Sequence, residues 1–182
     1  MEKETRRTQM TKRLIKDALI DLLETKPLSK ISITEICKLA DVNRSTYYNY
    51  YYEIAEIVND IEDEIISKLP SILDAKIDLE SNKQFVLGLE NFLAYIKENK
   101  AFSTLILKNT ESNFISKITK YVMHNFFHKE DNAENQITYY GYIYSLHGTI
   151  GIVIEWIKGK FPISCKELAE IVFLMSAKAN AK

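Results

Sequence analysis

Residues 31–57, ISITEICKLADVNRSTYYNYYYEIAEI, contain the pattern that decides the fold. Ser32 and Glu35 have the spacing of a capping box, in which the serine hydroxyl and the glutamate carboxylate satisfy free N–H groups at a helix start. This box predicts a short helix over 34–40. The Asp-Val-Asn stretch at 41–43 is typical of a tight turn, because aspartate and asparagine tolerate turn geometry and cap the helix that follows.

A second short helix is predicted over 44–51, directly after the turn. A longer helix over 8–24 comes earlier; it has apolar residues at three-to-four spacing and is ended by Pro27. Three helices of these lengths, the last two joined by a three-residue turn, describe a helix-turn-helix. This motif binds DNA by laying one helix across the backbone and projecting the next into the major groove.

The helix predicted over 44–51 divides its side chains between two faces. Tyr47 and Tyr51 are four residues apart, which favours packing inward. Five of the eleven tyrosines lie within 47–52, too many for all to be core on so short a helix. The outward residues are Arg44, Ser45, Thr46, Tyr48, Asn49 and Tyr50. They suit a DNA groove, since arginine pairs with guanine, asparagine with adenine, and hydroxyls with phosphates or bases.

These residues resemble the DNA-binding signature of the TetR family of transcriptional regulators. The matching pieces are Ile33-Thr34-Glu35-Ile36, Ala40-Asp41-Val42 and Ser45-Thr46-Tyr47-Tyr48-Asn49-Tyr50-Tyr51. The resemblance implies DNA contacts from Thr34, Arg44, Ser45, Thr46, Tyr48, Asn49 and Tyr50. Tyr48 would approach a phosphate, and Arg44, Asn49 and Tyr50 would face bases. Two positions depart from the family pattern: Asp41 replaces the usual glycine, and Ile54 replaces a lysine that touches phosphate in many members.

Charge is unevenly distributed along a chain whose net charge is only −1. Residues 53–64 contain six acids and no base, which disfavours a phosphate contact there. Residues 1–16 contain six bases and two acids. Arg6 and Arg7, with the neighbouring bases, are therefore predicted to attract the DNA backbone. A merely solvated helix face is the alternative interpretation.

Composition and helix signals predict an all-α fold. The 182 residues include only 5 Gly and 3 Pro, against about 22 in average usage, which disfavours sandwiches and barrels. About nine helices are predicted; those after the helix-turn-helix cover 53–69, ended by Pro70, then 82–98, 100–107, 113–129, 136–158 and 165–178. The predicted domains are a helix-turn-helix DNA-binding domain at 1–52 and a helical regulatory and dimerisation domain at 53–182.

The penultimate helix contains small residues on roughly one side, which allow another helix to approach closely. It ends in Glu155-Trp156-Ile157-Lys158-Gly159, similar to one TetR subgroup. TetR proteins are homodimers through their last two helices, so the resemblance implies an interface, with packing inside one chain as the alternative. The predicted interface residues are Gly141, Ser145, Gly148, Gly151, Ile152, Trp156, Leu168, Ile171 and Val172. A membrane span at 137–154 is disfavoured by its many polar side chains.

The resemblance also implies that a small molecule in the second domain weakens operator binding. The candidate ligand-binding residues are Phe92, Tyr95, Phe102, Tyr121, Tyr140, Tyr144 and His147, each equally suited to a core. His124 and His128 have metal-ligand spacing, but no third ligand is indicated, so neither a metal nor a cofactor is expected. No phosphate loop, nucleophile elbow or carboxylate pair suggests an enzyme. The N-terminus shows no signal-peptide core, so a cytoplasmic location is expected.

We therefore expect a homodimeric regulator that binds double-stranded DNA at a palindromic operator. Its expected mode is that of a repressor released by a small-molecule effector of unknown identity. The alternative is a ligand-independent TetR-like regulator, or an activator that acts through a protein partner.

Overall fold

The computed structural model describes residues 5–73, 82–108, 113–126 and 136–180. Within them the chain forms nine α-helices, one turn of 3-10 helix at Leu28–Lys30, and no strand. The α-helices are α1 Arg6–Thr25, α2 Ile33–Leu39, α3 Arg44–Tyr48, α4 Ile54–Leu73, α5 Asn82–Glu98, α6 Lys100–Lys108, α7 Phe114–Phe126, α8 Gln136–Lys158 and α9 Cys165–Asn180. The predicted all-helical fold is confirmed.

The described residues form two compact units. The first contains residues 5–65 and 100–108, so it joins the helix-turn-helix to the start of α4 and to α6. Its largest fully buried side chains are Ile15, Leu19, Leu23, Ile36, Tyr47, Ile57, Phe102 and Leu105. A module of about fifty residues buries too little surface for a robust core alone, which accounts for the added helices. The functional boundary at 52/53 stays a prediction.

The second unit contains the rest of α4 together with α5, α7, α8 and α9. Within it α9 packs against both α5 and α8. The rings of Phe85 on α5 and Phe173 on α9 have their centroids 5.8 Å apart. Its buried side chains include Leu93, Ile96, Val153, Trp156, Leu168 and Val172.

Two helix ends differ from the sequence prediction. Pro70 lies inside α4, which continues to Leu73. A proline removes one N–H donor, and here that loss does not end the helix. In contrast, α3 ends at Tyr48 instead of residue 51, because the N–H of Asn49 is shared between the carbonyls of Thr46 and Tyr47, a tightened final turn.

The corner between α8 and α9 is built around Trp156. Its indole N–H donates to the carbonyl of Ile163 at 2.9 Å, and its ring meets Phe161 edge to face at 4.7 Å. The left-handed residues that follow α8 are Lys160 and Phe161, with φ of 57° and 61°, and not Gly159. Gly159 instead permits close approach, since a Cβ there would lie 3.3 Å from the Pro162 Cδ.

Candidate nucleic-acid interface

The predicted capping box fixes the start of α2. The N–H of Ser32 donates to Glu35 Oε2 at 3.0 Å, and the N–H of Glu35 donates to Ser32 Oγ at 3.3 Å. Lys26, which follows α1, forms an ion pair with the same carboxylate. The bonds from Lys26 and Ser32 lower the pKa of Glu35 to about 2, so the cap stays ionised at neutral pH. Thr34, the second residue of α2, is exposed beside this anchored start.

The turn between α2 and α3 has the geometry of a Schellman motif. Asp41 has a φ of 52°, in the left-handed region, and the N–H of Val42 donates to the carbonyl of Cys37 at 3.0 Å. Asn43 then caps α3, because its Oδ1 accepts from the Thr46 N–H at 2.8 Å and from the Ser45 hydroxyl at 2.7 Å. This left-handed position explains why glycine suits residue 41 and why aspartate is an acceptable substitute.

The two faces of α3 and its exit agree with the sequence prediction. Tyr47 is completely buried and Tyr51 is 3% exposed, so the expected inward packing of both is confirmed. The predicted DNA contacts divide by exposure: Arg44, Ser45, Tyr48 and Asn49 are exposed, whereas Thr46 and Tyr50 are half-buried. All of them lie in the first unit, where the buried tyrosines anchor the surface that carries them. Their contact with DNA stays a prediction.

A polar network joins the residue that follows α3 to α1 and α4, and the sequence does not predict it. The hydroxyl of Tyr51 donates to Asp60 Oδ2 on α4 at 2.6 Å. Lys16 of α1 lies 3.7 Å from that carboxylate and 2.7 Å from Glu64 Oε2. These partners are 9 and 48 residues apart in the chain, so no local pattern could have revealed them. The network ties the exit of α3 to both α1 and α4.

The start of α4 disfavours a phosphate contact. Glu56 Oε2 accepts a hydrogen bond from the N–H of Tyr52 at 2.7 Å, so a carboxylate lies at this helix N-terminus. Ile54 is half-buried and Glu53 is exposed. The ring of Tyr52, which was not among the predicted contacts, is 79% exposed. This helix start has two carboxylates, which repel phosphates, and it has no lysine. It is therefore poorly suited to contact the DNA backbone.

The first turn of α1 offers positive charge instead. Thr5 caps the helix by accepting from the N–H of Thr8 at 3.3 Å, and Arg6 and Arg7 follow, both exposed. Bases in a first turn oppose the helix dipole, so this placement does not serve helix stability. Arg13 lies 3.6 Å from Asp17. Arg6 and Arg7 therefore remain the predicted backbone contacts, and Lys3 lies outside the described residues.

The predicted interface residues divide into three groups. Trp156, Leu168 and Val172 are buried within this chain, whereas Gly141, Ser145 and Ile152 are half-buried. Gly148, Gly151 and Ile171 are exposed, and a Cβ on either glycine would meet no atom within 4 Å. Further exposed apolar side chains lie on the same two helices. Together the exposed residues define the α8–α9 surface: Tyr140, Tyr144, Gly148, Gly151, Ile171, Leu174 and Met175.

The predicted ligand-binding residues belong to both units. Phe102 is buried in the first unit, while Tyr140, Tyr144 and His147 are exposed on α8. Phe92, Tyr95 and Tyr121 are half-buried aromatics of the second unit. The hydroxyl of Tyr95 accepts from Asn99 Nδ2 at 2.7 Å, and burial raises the pKa of Tyr121. These three are the candidates that combine partial burial with a shared unit.

Neither a metal-ligating cluster nor a membrane-spanning helix is found in the parts of the chain that the structure describes. No group of three or more His, Cys, Asp or Glu side chains there has an arrangement that holds a metal ion. His124 is exposed, and His128 lies outside the described residues. Among these same residues, no helix combines the length and apolar character needed to cross a bilayer.

Comparison with known proteins identifies the family. Residues 84–178 match the TetR family model described as "Transcriptional regulator C-terminal region", which is more than half of the chain. The chain belongs to the TetR family of transcriptional regulators. For a TetR-family protein, DNA binding and dimerisation are the expected properties. A search of curated proteins gave no match.

Solved structures share the TetR fold. A TetR transcriptional regulator from Streptococcus agalactiae 2603V is 21% identical, covers 94% of this chain and 96% of its own, and has a TM-score of 0.67. The dihydroxyacetone kinase operon activator DhaS is 22% identical, with 92% and 94% covered and a TM-score of 0.60. RolR in complex with resorcinol is 14% identical, with 97% and 94% covered and a TM-score of 0.55. At these identities the likeness concerns the fold.

Proposed function

We propose that this TetR-family chain is a homodimeric regulator that binds a palindromic operator and is released from it by a small molecule. The observation that carries this proposal is the divided helix α3. Tyr47 and Tyr51 are buried on one side, while Arg44, Tyr48 and Asn49 are exposed on the other. The exposed set combines a guanine-reading, an adenine-reading and a phosphate-binding side chain on one short element.

The α8–α9 surface supports the dimer. It exposes large apolar side chains, with Tyr144 71%, Leu174 56% and Met175 56% exposed. Exposed large apolar side chains on neighbouring helices are typical of protein–protein contacts. Gly148 and Gly151 present bare backbone beside them, which lets a second helix approach closely. In a two-fold symmetric dimer, the α3 helices of the two chains would bind two inverted half-sites.

Release by a small molecule requires an effector that prefers one of two conformations. The half-buried aromatic side chains of Phe92, Tyr95 and Tyr121 are the proposed contacts for it. Support comes from RolR, which shares this fold and is named as a complex with resorcinol. An aromatic or otherwise flat apolar compound is the class of effector that such side chains favour.

Activation is the second candidate, and the name of one structural neighbour favours it. DhaS is named as an operon activator. An activator of this kind would recruit a protein partner while bound to DNA and would need no effector. A transcription assay on a template with the selected operator separates the two modes, because a repressor lowers the transcript and an activator raises it.

Substitutions on α3 test the proposed interface. Arg44→Ala and Asn49→Ala should each relax discrimination at particular base pairs by about 1–3 kcal/mol. Tyr48→Ala should instead weaken binding to cognate and scrambled duplexes alike, since phosphate contacts carry no sequence information. Lys158→Ala, an exposed lysine at the end of α8, is the control and should match wild type. The groove assignment is wrong if all three α3 variants lose affinity equally for both duplexes.

A further inference from the structure

Three acids in the part of α4 that belongs to the first unit lie on one side of the helix. Glu56, Asp60 and Glu64 follow one another at intervals of four residues, and residues four apart in a helix are neighbours. They are three of the six acids in residues 53–64. Like charges at this spacing repel one another and destabilise a helix. These three residues, the acidic row, therefore call for donors from neighbouring elements.

Two successive residues after α3 donate to the first two members of the acidic row. The hydroxyl of Tyr51 donates to Asp60 Oδ2 at 2.6 Å, and the backbone N–H of Tyr52 donates to Glu56 Oε2 at 2.7 Å. Two carboxylates one helical turn apart thus hold two neighbouring residues, one through its side chain and the other through its backbone. A shift of this segment along α4 would break both bonds.

Lys16 of α1 supplies positive charge to the same row. Its Nζ lies 3.7 Å from Asp60 Oδ2 and 2.7 Å from Glu64 Oε2, and its side chain is only 16% exposed. An ammonium group close to two like-charged carboxylates offsets their repulsion. Lys16 therefore allows two acids to remain neighbours on α4 at the place where Tyr51 is bonded.

The recognition helix is too short to orient its side chains alone. It contains five residues, Arg44–Tyr48, and a helix of this length has little stability of its own. Its start is fixed locally, because Asn43 Oδ1 accepts from the N–H of Thr46 at 2.8 Å and from the hydroxyl of Ser45 at 2.7 Å. The orientation of Arg44, the first residue, follows from this cap.

The other end of α3 depends on the segment that the acidic row holds. The N–H groups of Tyr50 and Tyr51 both donate to the carbonyl of Tyr47, at 2.9 and 3.1 Å. Asn49 lies between this helix end and the bonded hydroxyl of Tyr51. Its exposed side chain is therefore oriented by bonds that Arg44 does not share.

We propose that Tyr51 and the acidic row are positioning residues for Asn49, which fix the direction in which its amide meets a base pair. The proposal rests on the proposed function, because it concerns a side chain proposed to read DNA. An asparagine discriminates adenine through two hydrogen bonds made at once, so a small rotation of the amide weakens the preference. Arg44 should keep its own preference when these bonds are lost.

Ratios of DNA affinity, measured with the full chain, test this role. The reference probe is the duplex that the protein itself enriches from random sequence. Two further probes each carry one changed base pair, at the position where Asn49→Ala relaxes the preference or at the position where Arg44→Ala does. A ratio of two affinities does not depend on the folded fraction, so a loss of stability alone leaves it unchanged.

Tyr51→Phe should lower the ratio at the Asn49 base pair at least about fivefold, the lower end of what such a contact supplies. The ratio at the Arg44 base pair should stay within about twofold of wild type, as expected of sites that share no partner. Asp60→Leu should reproduce this selective loss. Asp60→Asn should keep the wild-type ratio, because its amide oxygen can accept the same hydrogen bond.

Tyr47→Phe is the matched control. It removes a buried tyrosine hydroxyl from the same short helix, but this hydroxyl has no hydrogen-bond partner within the described part of the chain. Both ratios should therefore match wild type.

Each remaining outcome overturns one proposal. Wild-type ratios in both Tyr51→Phe and Asp60→Leu overturn the positioning role, as do equal losses at the two base pairs or a loss of the same size in Tyr47→Phe. The positioning role also fails if Asn49→Ala relaxes no base pair of an enriched duplex. A protein that enriches no duplex overturns the proposed function itself, and the positioning role with it.

Discussion

The hydroxyl groups of Tyr47 and Tyr51 have different surroundings, although both rings pack on the buried side of the recognition helix. Both rings are buried, with centroids 6.1 Å apart. The Tyr51 hydroxyl donates to Asp60, whereas the buried Tyr47 hydroxyl has no hydrogen-bond partner within the described part of the chain. Burial also raises the pKa of Tyr47 to about 12, so this hydroxyl stays neutral.

The pair gives a matched prediction. Tyr51→Phe should lower the free energy of unfolding by about 0.5–1.5 kcal/mol, the usual net contribution of one hydrogen bond, since Asp60 keeps Lys16 as a neighbour. Tyr47→Phe removes a hydroxyl that makes no bond and should leave stability unchanged or raise it. Urea unfolding followed by circular dichroism measures both. Equal losses in the two variants would show that the hydrogen bond from Tyr51 to Asp60 stabilises the fold no more than the unbonded hydroxyl of Tyr47 does.

Local residue patterns could be predicted from the sequence, and tertiary partners could not. The Ser32–Glu35 box and the inward tyrosines depend on spacings of three and four residues, which the sequence shows directly. The partner of Tyr51 lies on another helix. Trp156 was predicted to lie in a dimer interface, but its side chain is buried within its own chain. The sequence shows that this helix position is apolar, but it does not show which neighbouring helix covers it.

At the scale of elements, the α2–α3 turn places an aspartate in a left-handed conformation. Asp41→Gly should raise the free energy of unfolding by up to about 1 kcal/mol, because glycine adopts this φ without steric cost. Asp41→Val should lower it by about 1–3 kcal/mol, since a β-branched side chain is strained there. Thermal unfolding of the two variants beside wild type measures both changes. A stabilised valine variant would contradict the turn geometry.

The sequence predicted that each described α-helix exists. It was less accurate about the residue at which a helix ends and about which helices pack into the same unit. Periodicity and capping boxes identify α2, α5 and α9, but they place the ends of α3 and α4 wrongly by three or four residues. The inclusion of α6 in the first unit depends on its packing against α1. Nothing in the sequence of α6 itself indicates that partner.

At the scale of the whole molecule, we expect two chains to form a dimer through the α8–α9 surface. Gly148→Leu should fold, since a Cβ there meets no neighbouring atom, yet it should push a second chain away. Leu174→Asp should raise the dimer dissociation constant at least about thirtyfold, as expected for a central interface residue. Leu87→Asp is the control, because Leu87 is similarly exposed, 58% against 56%, but lies on α5.

Sedimentation of the three folded variants measures the effect. Gly148→Leu and Leu174→Asp should sediment with the mass of one chain at concentrations where wild type and Leu87→Asp sediment as dimers. Dimers in all three variants would place the interface on another surface.

The most direct test of the central claim is the DNA that the purified protein enriches from random duplexes. A homodimer with one α3 in each half-site should enrich an inverted repeat whose half-sites are centred about one helical turn, or a multiple of it, apart. Asn49→Ala should relax the preference at an adenine within each half-site. Enrichment of no sequence, or of a sequence without two-fold symmetry, would contradict the account.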